Sequence, residues 1–119
     1  MPLVSVAIRA FRRRWLGDAI ASVLAQTHRD LELVVYDDAG DLEEVTSAAA
    51  DARIRYVRAS ARHGASGRFD AAVRLCRGDF IALLDDDDYY APGFVERLLA
   101  ALQAEPGAGI ACCRVRFDV

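Results

Sequence analysis

Lysine is missing from this chain: all 15 basic residues among its 119 are arginine. A Gly-Lys-Ser/Thr phosphate loop and Schiff-base chemistry both need a lysine amine, so neither can be housed here. Cysteine is scarce. Cys76, Cys112 and Cys113 make an odd number without C-x-x-C spacing, and an adjacent pair points to opposite faces of a strand, so a disulfide framework or a zinc site is not indicated. The expectation is reduced core thiols in a cytosolic protein. No run of roughly 18 apolar residues exists, and Arg12, Arg13 and Arg14 interrupt the N-terminus too early for a signal peptide. The chain is expected to be soluble and cytoplasmic, with membrane association of the full-length protein left open. Neither charge sign dominates: the formal net charge is -3 with both signs mixed along the chain, which gives no field for nucleic acid or anionic lipid. Repeats, low-complexity tracts and linkers are also lacking.

What is present is apolar sequence, 54% of the chain, enough for a packed core. Leu3 to Ile8 reads as a buried strand, and Leu16, Ile20, Val23 and Leu24 repeat at helical spacing within 15–26. Leu31 to Tyr36 reads as a second strand, Leu42 to Ala50 as a short helix, and Ile54 to Val57 as a third strand. Phe69, Ala72, Val73 and Cys76 share a helix face, and Phe80 to Leu84 is a fourth strand. Phe94, Leu98, Leu99 and Leu102 define an amphipathic helix opened by Pro92-Gly93, and Gly109 to Val115 reads as a fifth strand. Nearly all-apolar strands alternating with helices imply an α/β fold, a mostly parallel sheet with helices on both faces.

In such sheets ligands bind outside the carboxyl ends of the strands, where this sequence keeps its unusual polar residues. The most unusual is Asp85-Asp86-Asp87-Asp88, four like charges directly after a buried strand, which need compensation. In an extended segment Asp85 and Asp87 point to one side and Asp86 and Asp88 to the other, so a D-x-D pair can present two carboxylates to one site. Hard oxygen ligands suit Mg²⁺ or Mn²⁺ together with phosphate oxygens. A calcium loop of the EF-hand type fails for want of a glycine at the required position. Asp37-Asp38 follows the second strand and could accept hydrogen bonds from a base or ribose, or simply form a turn. Phe11, in the loop after the first strand, could stack on a base or pack locally. Arg68, beside Gly64 and Gly67, can offer a bidentate fork to phosphate. His63 is a weaker phosphate contact, His28 reads as a turn residue, and Arg12 to Arg14 read as a solvated face.

Taken together, "LVSVAI", "AIASVLAQTHRDLELVVYDD", "RIRYVR", the glycine-containing loop ending in Arg68, "GDFIALLDDDDYYAPGFVERLLAAL" and "GIACC" resemble family 2 glycosyltransferases. The likeness is to the nucleotide-sugar-binding half of their GT-A fold, an inverting type, and it covers essentially the whole chain. It implies a Rossmann-like nucleotide-binding portion spanning 1–119, ending before the acceptor-binding half. It implies a nucleotide-diphosphate sugar as donor, UDP-sugar favoured, a saccharide or lipid-linked acceptor, and Mn²⁺ or Mg²⁺ as cofactor. By position, Asp37 or Asp38 matches the acidic pair that reads uracil and ribose, and Arg68 matches an arginine near the diphosphate. Arg9, Ala10 and Phe11 occupy the loop beside the donor. Asp85 and Asp86 complete the donor contacts, and Asp85 and Asp87 match the metal-binding D-x-D.

The chain also departs from that family. Arg9-Ala10-Phe11-Arg12 stands where a Pro-Thr-Tyr-Asn-like loop is usual, and Ala39-Gly40-Asp41-Leu42 replaces a Gly-Ser-Thr-Asp-like stretch. No general base can be carried over, because the family's base lies in the second half. The alternatives are a non-catalytic nucleotide-binding α/β module or a nucleotidyltransferase-like domain, although the latter usually has a basic Gly-rich loop that "RAFRRRW" lacks. A phosphoacceptor receiver domain is excluded by the arginine ending the first strand and by the missing lysine. An exposed sheet edge would favour self-association.

Overall fold

Four apolar runs become four parallel strands, and the helices between them supply the crossovers that parallel pairing demands. The computed structural model describes residues 2–59 and 65–117, and the side chains of 65–68 fall outside that description. The order is β1 (Val4–Ala10), α1 (Leu16–Leu24), β2 (Leu31–Asp37), α2 (Glu43–Ser47), β3 (Ile54–Arg58), α3 (Ala65–Arg74), β4 (Phe80–Asp85) and α4 (Phe94–Ala104). The sheet runs β3-β2-β1-β4 and every pairing is parallel. This is the expected α/β architecture.

The alternation of side chains along β1 divides the core. Val6, Ile8 and Ala10 face Leu16, Ala19, Ile20 and Val23 of α1, together with Leu33 and Val35 of β2 and Leu42 before α2. Val4, on the same side, meets Val95 and Leu99 of α4. Ala7 points the other way, where Tyr36 and Ala72 of α3 cover it. Helices therefore lie on both faces. Each buried Leu, Ile or Val on these faces stabilises the fold by about 1.5–3 kcal/mol through area removed from water.

Two small devices hold the layers in register. Gln26, fully buried, accepts from the Val95 N–H at 2.9 Å and donates to the Ala91 carbonyl at 2.7 Å, which ties the end of α1 to the start of α4. Gly78 packs so tightly on the start of β1 that a Cβ there would sit 2.6–2.8 Å from Ser5 Oγ, Ser5 N and Leu3 O.

The expected fifth strand does not form. Residues 110–117 carry no regular structure, and Ile110, Val115 and Phe117 are 87%, 74% and 85% exposed. A short apolar run becomes a strand only where a ladder partner and a buried face are both available, and among the described residues β4 pairs with β1 alone. Cys112 and Cys113 are consequently exposed rather than core thiols, whereas Cys76 is half-buried. His28, read as a turn residue, is buried with Nε2 2.9 Å from the Pro2 carbonyl oxygen.

Candidate functional site

The strand order reverses between β1 and β4: the chain steps outward from β1 to β2 and β3, then returns to the other side of β1. In parallel α/β sheets the crevice outside the carboxyl ends at such a switch point is where ligands bind. Arg9, on the last turn of the β1 ladder, is in register with Asp85 at the end of β4, and its Nε donates to Asp85 Oδ1 at 2.7 Å. The same guanidinium lies 4.6 Å from the ring centre of Phe69 on α3, a cation–π contact that fixes its plane.

Beyond Asp85 the aspartate run stops being a strand. The Asp88 N–H bonds to the Asp85 carbonyl at 3.2 Å, closing a four-residue turn. Two-residue alternation is lost there, so Asp88 joins Asp85 and Asp87 instead of facing away. One oxygen from each of these three carboxylates lies within 4.8 Å of the others. Burial and the charges of Asp87, Asp85 and Asp86 push the Asp88 carboxyl above its ordinary range, and Arg12 offsets only part of this. Three mutually repelling hard oxygen donors at one point are a set that a divalent cation relieves and that Mg²⁺ or Mn²⁺ prefers. The residues present therefore fit such an ion.

Asp86 turns inward and is 4% exposed. Its Oδ2 accepts the backbone N–H groups of Phe11 at 2.8 Å and Arg12 at 2.7 Å, clamping the loop after β1 against the end of β4. Arg12 is not a merely solvated residue: its Nη2 bridges Asp86 Oδ1 at 3.1 Å and Asp87 Oδ2 at 3.0 Å. The hydrogen bond and charge of Asp86, then the charge of Asp87, make the guanidinium hold its proton more firmly. Ala10 is buried beneath this loop, while Phe11 is half-exposed above it.

Asp37, at the end of β2, is fully buried, and its carboxylate is taken up by its own surroundings. Oδ1 accepts from the Ala39 and Gly40 N–H groups at 2.9 and 2.8 Å, and Oδ2 from the Leu42 N–H at 2.9 Å and the Tyr56 hydroxyl at 2.5 Å. Gly40 permits the turn by adopting φ +89°. Burial alone would push this carboxyl up, but the Tyr56 hydroxyl and the three N–H groups outweigh it and hold the carboxyl below its usual value. Tyr56 in turn is pushed up by burial and by Asp37. Asp38 is buried beside it, its N–H bonded to the Ala10 carbonyl at 2.8 Å.

All the sequence-singled acidic residues thus end at the carboxyl edge of the sheet. The Arg68 side chain and all of His63 lie outside the described residues. An open cavity of about 740 Å³ adjoins the carboxylates, with Asp85, Asp87 and Asp88 on one side and Phe69, Tyr89 and Arg114 among its other walls. Arg12 and Tyr56 escaped the sequence reading. For Arg12 the signal was available, since the loop after the first strand is basic and the loop after the fourth is acidic, and adjacent parallel strands bring their carboxyl ends together. No local pattern singles out Tyr56.

The family model for glycosyl transferase family 2 matches residues 5–119. The UDP-Glc:alpha-D-GlcNAc-diphosphoundecaprenol beta-1,3-glucosyltransferase WfaP of Escherichia coli is 28% identical over 108 residues, 88% of this chain and 43% of that protein. The chain thus spans less than half the length of this curated relative. Among solved structures, residues 1–349 of S. aureus TarS superpose with a TM-score of 0.75 at 18% identity, covering 87% of this chain and 33% of that one. The mannosyltransferase PcManGT from Pyrobaculum calidifontis, in complex with GDP-Man and Mn²⁺, gives 0.65 at 20% identity over 75% of this chain and 28% of that one. The fold is that of GT-A glycosyltransferases, and with the family model spanning nearly its full length, the chain belongs to glycosyl transferase family 2.

Proposed function

We propose that this chain is the donor-binding portion of a glycosyltransferase that moves a sugar from a nucleoside diphosphate to an acceptor hydroxyl with inversion. The observation that carries the reading is the convergence of the Asp85, Asp87 and Asp88 carboxylates beside Arg9 and Arg12 at the sheet's switch point. Those three aspartates would hold Mn²⁺ or Mg²⁺, which when bound neutralises charge on the leaving diphosphate. Arg9 fixes Asp85, and Asp86 shapes the loop that carries Phe11 toward the base. Contact with base or ribose is assigned to the acidic pair Asp37-Asp38, whose first member also holds its own loop and the Tyr56 hydroxyl. Arg68 is the further phosphate ligand. The acceptor hydroxyl attacks the anomeric carbon from the face opposite the diphosphate, the bond from that carbon to the diphosphate oxygen breaks, and the hydroxyl proton passes to a base.

The spans of the relatives support an acceptor half, and a general base, carried by further sequence. The 119-residue chain alone then binds donor without efficient transfer, since general-base help is worth about 10²–10⁴-fold and acceptor positioning roughly 7–11 kcal/mol. UDP is the favoured nucleotide, with GDP the competitor. No helix among the described residues is long and apolar enough to cross a membrane.

Calorimetric titration of the chain with UDP and with GDP, in Mn²⁺ and in EDTA, tests the reading. Binding that strengthens with Mn²⁺ is expected. Equal affinity in EDTA removes the metal, and robust acceptor-dependent sugar transfer by this chain alone removes the division into halves.

A further inference from the structure

The Arg12 guanidinium touches one of the carboxylates assigned above to the metal. It spans from Asp86 Oδ1 to Asp87 Oδ2, and its side chain is 62% exposed. The two anchoring points of this residue differ in kind. Its backbone N–H is held by the buried Asp86 at 2.7 Å, whereas its side chain reaches Asp87, which is itself 40% exposed, from the solvent side. Arg9 behaves otherwise: its side chain is 25% exposed, packed on Phe69 and paired with Asp85. One arginine is packed into the site, and the other is anchored by its main chain with its paired head at the surface.

Charge balance gives that head two resting places. Among the described residues, Arg9 pairs with Asp85 while Arg12 pairs with both Asp86 and Asp87, so Arg12 sits where the aspartate run most needs a cation. A divalent ion held by Asp85, Asp87 and Asp88 would supply that positive charge and would repel the guanidinium from Asp87. A diphosphate bound with the ion would offer anionic oxygens as a new partner for the guanidinium, with the residue 12 N–H still held by Asp86. An arginine fork suits phosphate oxygens at least as well as a carboxylate.

Resting on the donor-site reading above, we propose that Arg12 is a displaceable counter-ion: it latches Asp87 in the empty site, competes with the divalent cation for it, and transfers to the diphosphate once the cation is seated. Arg12 thereby makes metal and nucleotide binding cooperative, since the bare site disfavours metal alone and the released guanidinium rewards metal with nucleotide.

The test is a crossover. Binding of Mn²⁺ alone is followed by electron paramagnetic resonance, and binding of UDP at saturating Mn²⁺ by calorimetry, for the parent chain, Arg12→Ala, Arg12→Gln and Arg14→Ala. The last variant removes an equal charge nearby, from a side chain stacked on Trp15. Removing the latch should tighten Mn²⁺ alone by about 3–10-fold and weaken UDP by about 3–10-fold, the range set by exposed ion pairs and near charges in high dielectric. Arg14→Ala should change neither by more than about twofold. The backbone bond from residue 12 to Asp86 survives every substitution, and Arg12→Gln keeps most of the side-chain volume should alanine loosen the loop. Changes in the same direction for both ligands, or none in either, overturn the latch while leaving the donor site intact. Parent binding of UDP that ignores Mn²⁺ overturns the donor-site reading, and the latch with it.

Discussion

Replacing Asp37 separates a residue that holds its loop from one that merely awaits a ligand. Its carboxylate is fully buried and accepts three backbone N–H groups and the Tyr56 hydroxyl. Asp37→Ala orphans all four donors. An unmade hydrogen bond at a buried group costs about 1–3 kcal/mol, and partial rehydration of the turn keeps the total below the sum, so about 3–5 kcal/mol is expected. With a urea slope of about 1–3 kcal/mol/M, the midpoint should fall by about 2 M. Asp37→Asn keeps an acceptor for Ala39 and Gly40 but sets an amide N–H₂ against the Leu42 N–H, for about 1–3 kcal/mol. Tyr56→Phe removes a single charge-assisted bond, for about 1–2 kcal/mol. Urea denaturation followed by circular dichroism measures all three. A midpoint shift under about 0.5 M for Asp37→Ala, with the slope unchanged, refutes the assignment.

The same carboxylate carries a pH signature. Its folded pKa is held below the unfolded value by the four donors, so on acidification the unfolded chain takes up this proton first. The stabilisation is complete above the unfolded carboxyl pKa of about 4 and is lost as pH falls through it to the lower folded value. Asp37→Asn should therefore lose stability less steeply than the parent below about pH 4, measured as urea midpoints across pH. Parallel curves refute the linkage.

Asp86 and Asp87 are neighbours with opposite expected behaviour. Asp86→Ala strips the loop N–H groups of Phe11 and Arg12 of their acceptor and should cost about 2–4 kcal/mol; thermal melts within 2 °C of the parent would contradict this. Asp87→Ala, at a half-exposed site, should leave the melt nearly unchanged while abolishing the Mn²⁺ dependence of UDP binding, and an unaltered affinity takes the residue out of the site. Gly78→Ala forces a Cβ to within 2.8 Å of the Ser5 N and Leu3 O main-chain atoms and should destabilise by more than about 2 kcal/mol, checked by urea denaturation.

Mostly apolar runs of four to six residues, separated by segments of helical periodicity, were enough to specify a parallel α/β sheet, because strands buried on both faces have to be largely apolar and their crossovers have to be helices. The placement of the aspartates at strand ends was legible for the same reason. Sequence alone determined that Asp37, Asp38 and the Asp85–Asp88 run lie at one edge of one sheet, since parallel strands deliver all their carboxyl ends together. What each carboxylate does there was decided by the tertiary structure. The turn closed from Asp88 to Asp85 ended the two-residue alternation and sent Asp88 to the cluster and Asp86 inward. Tyr56, 19 residues from Asp37, filled that carboxylate's last acceptor position. The failed strand at 109–115 carries the same lesson: an apolar run is a property of the chain, but a ladder needs a second strand brought alongside by packing. Pattern specifies where a polar group emerges from the fold, and hydrogen-bond partners that are distant in sequence determine whether it is left to meet a ligand.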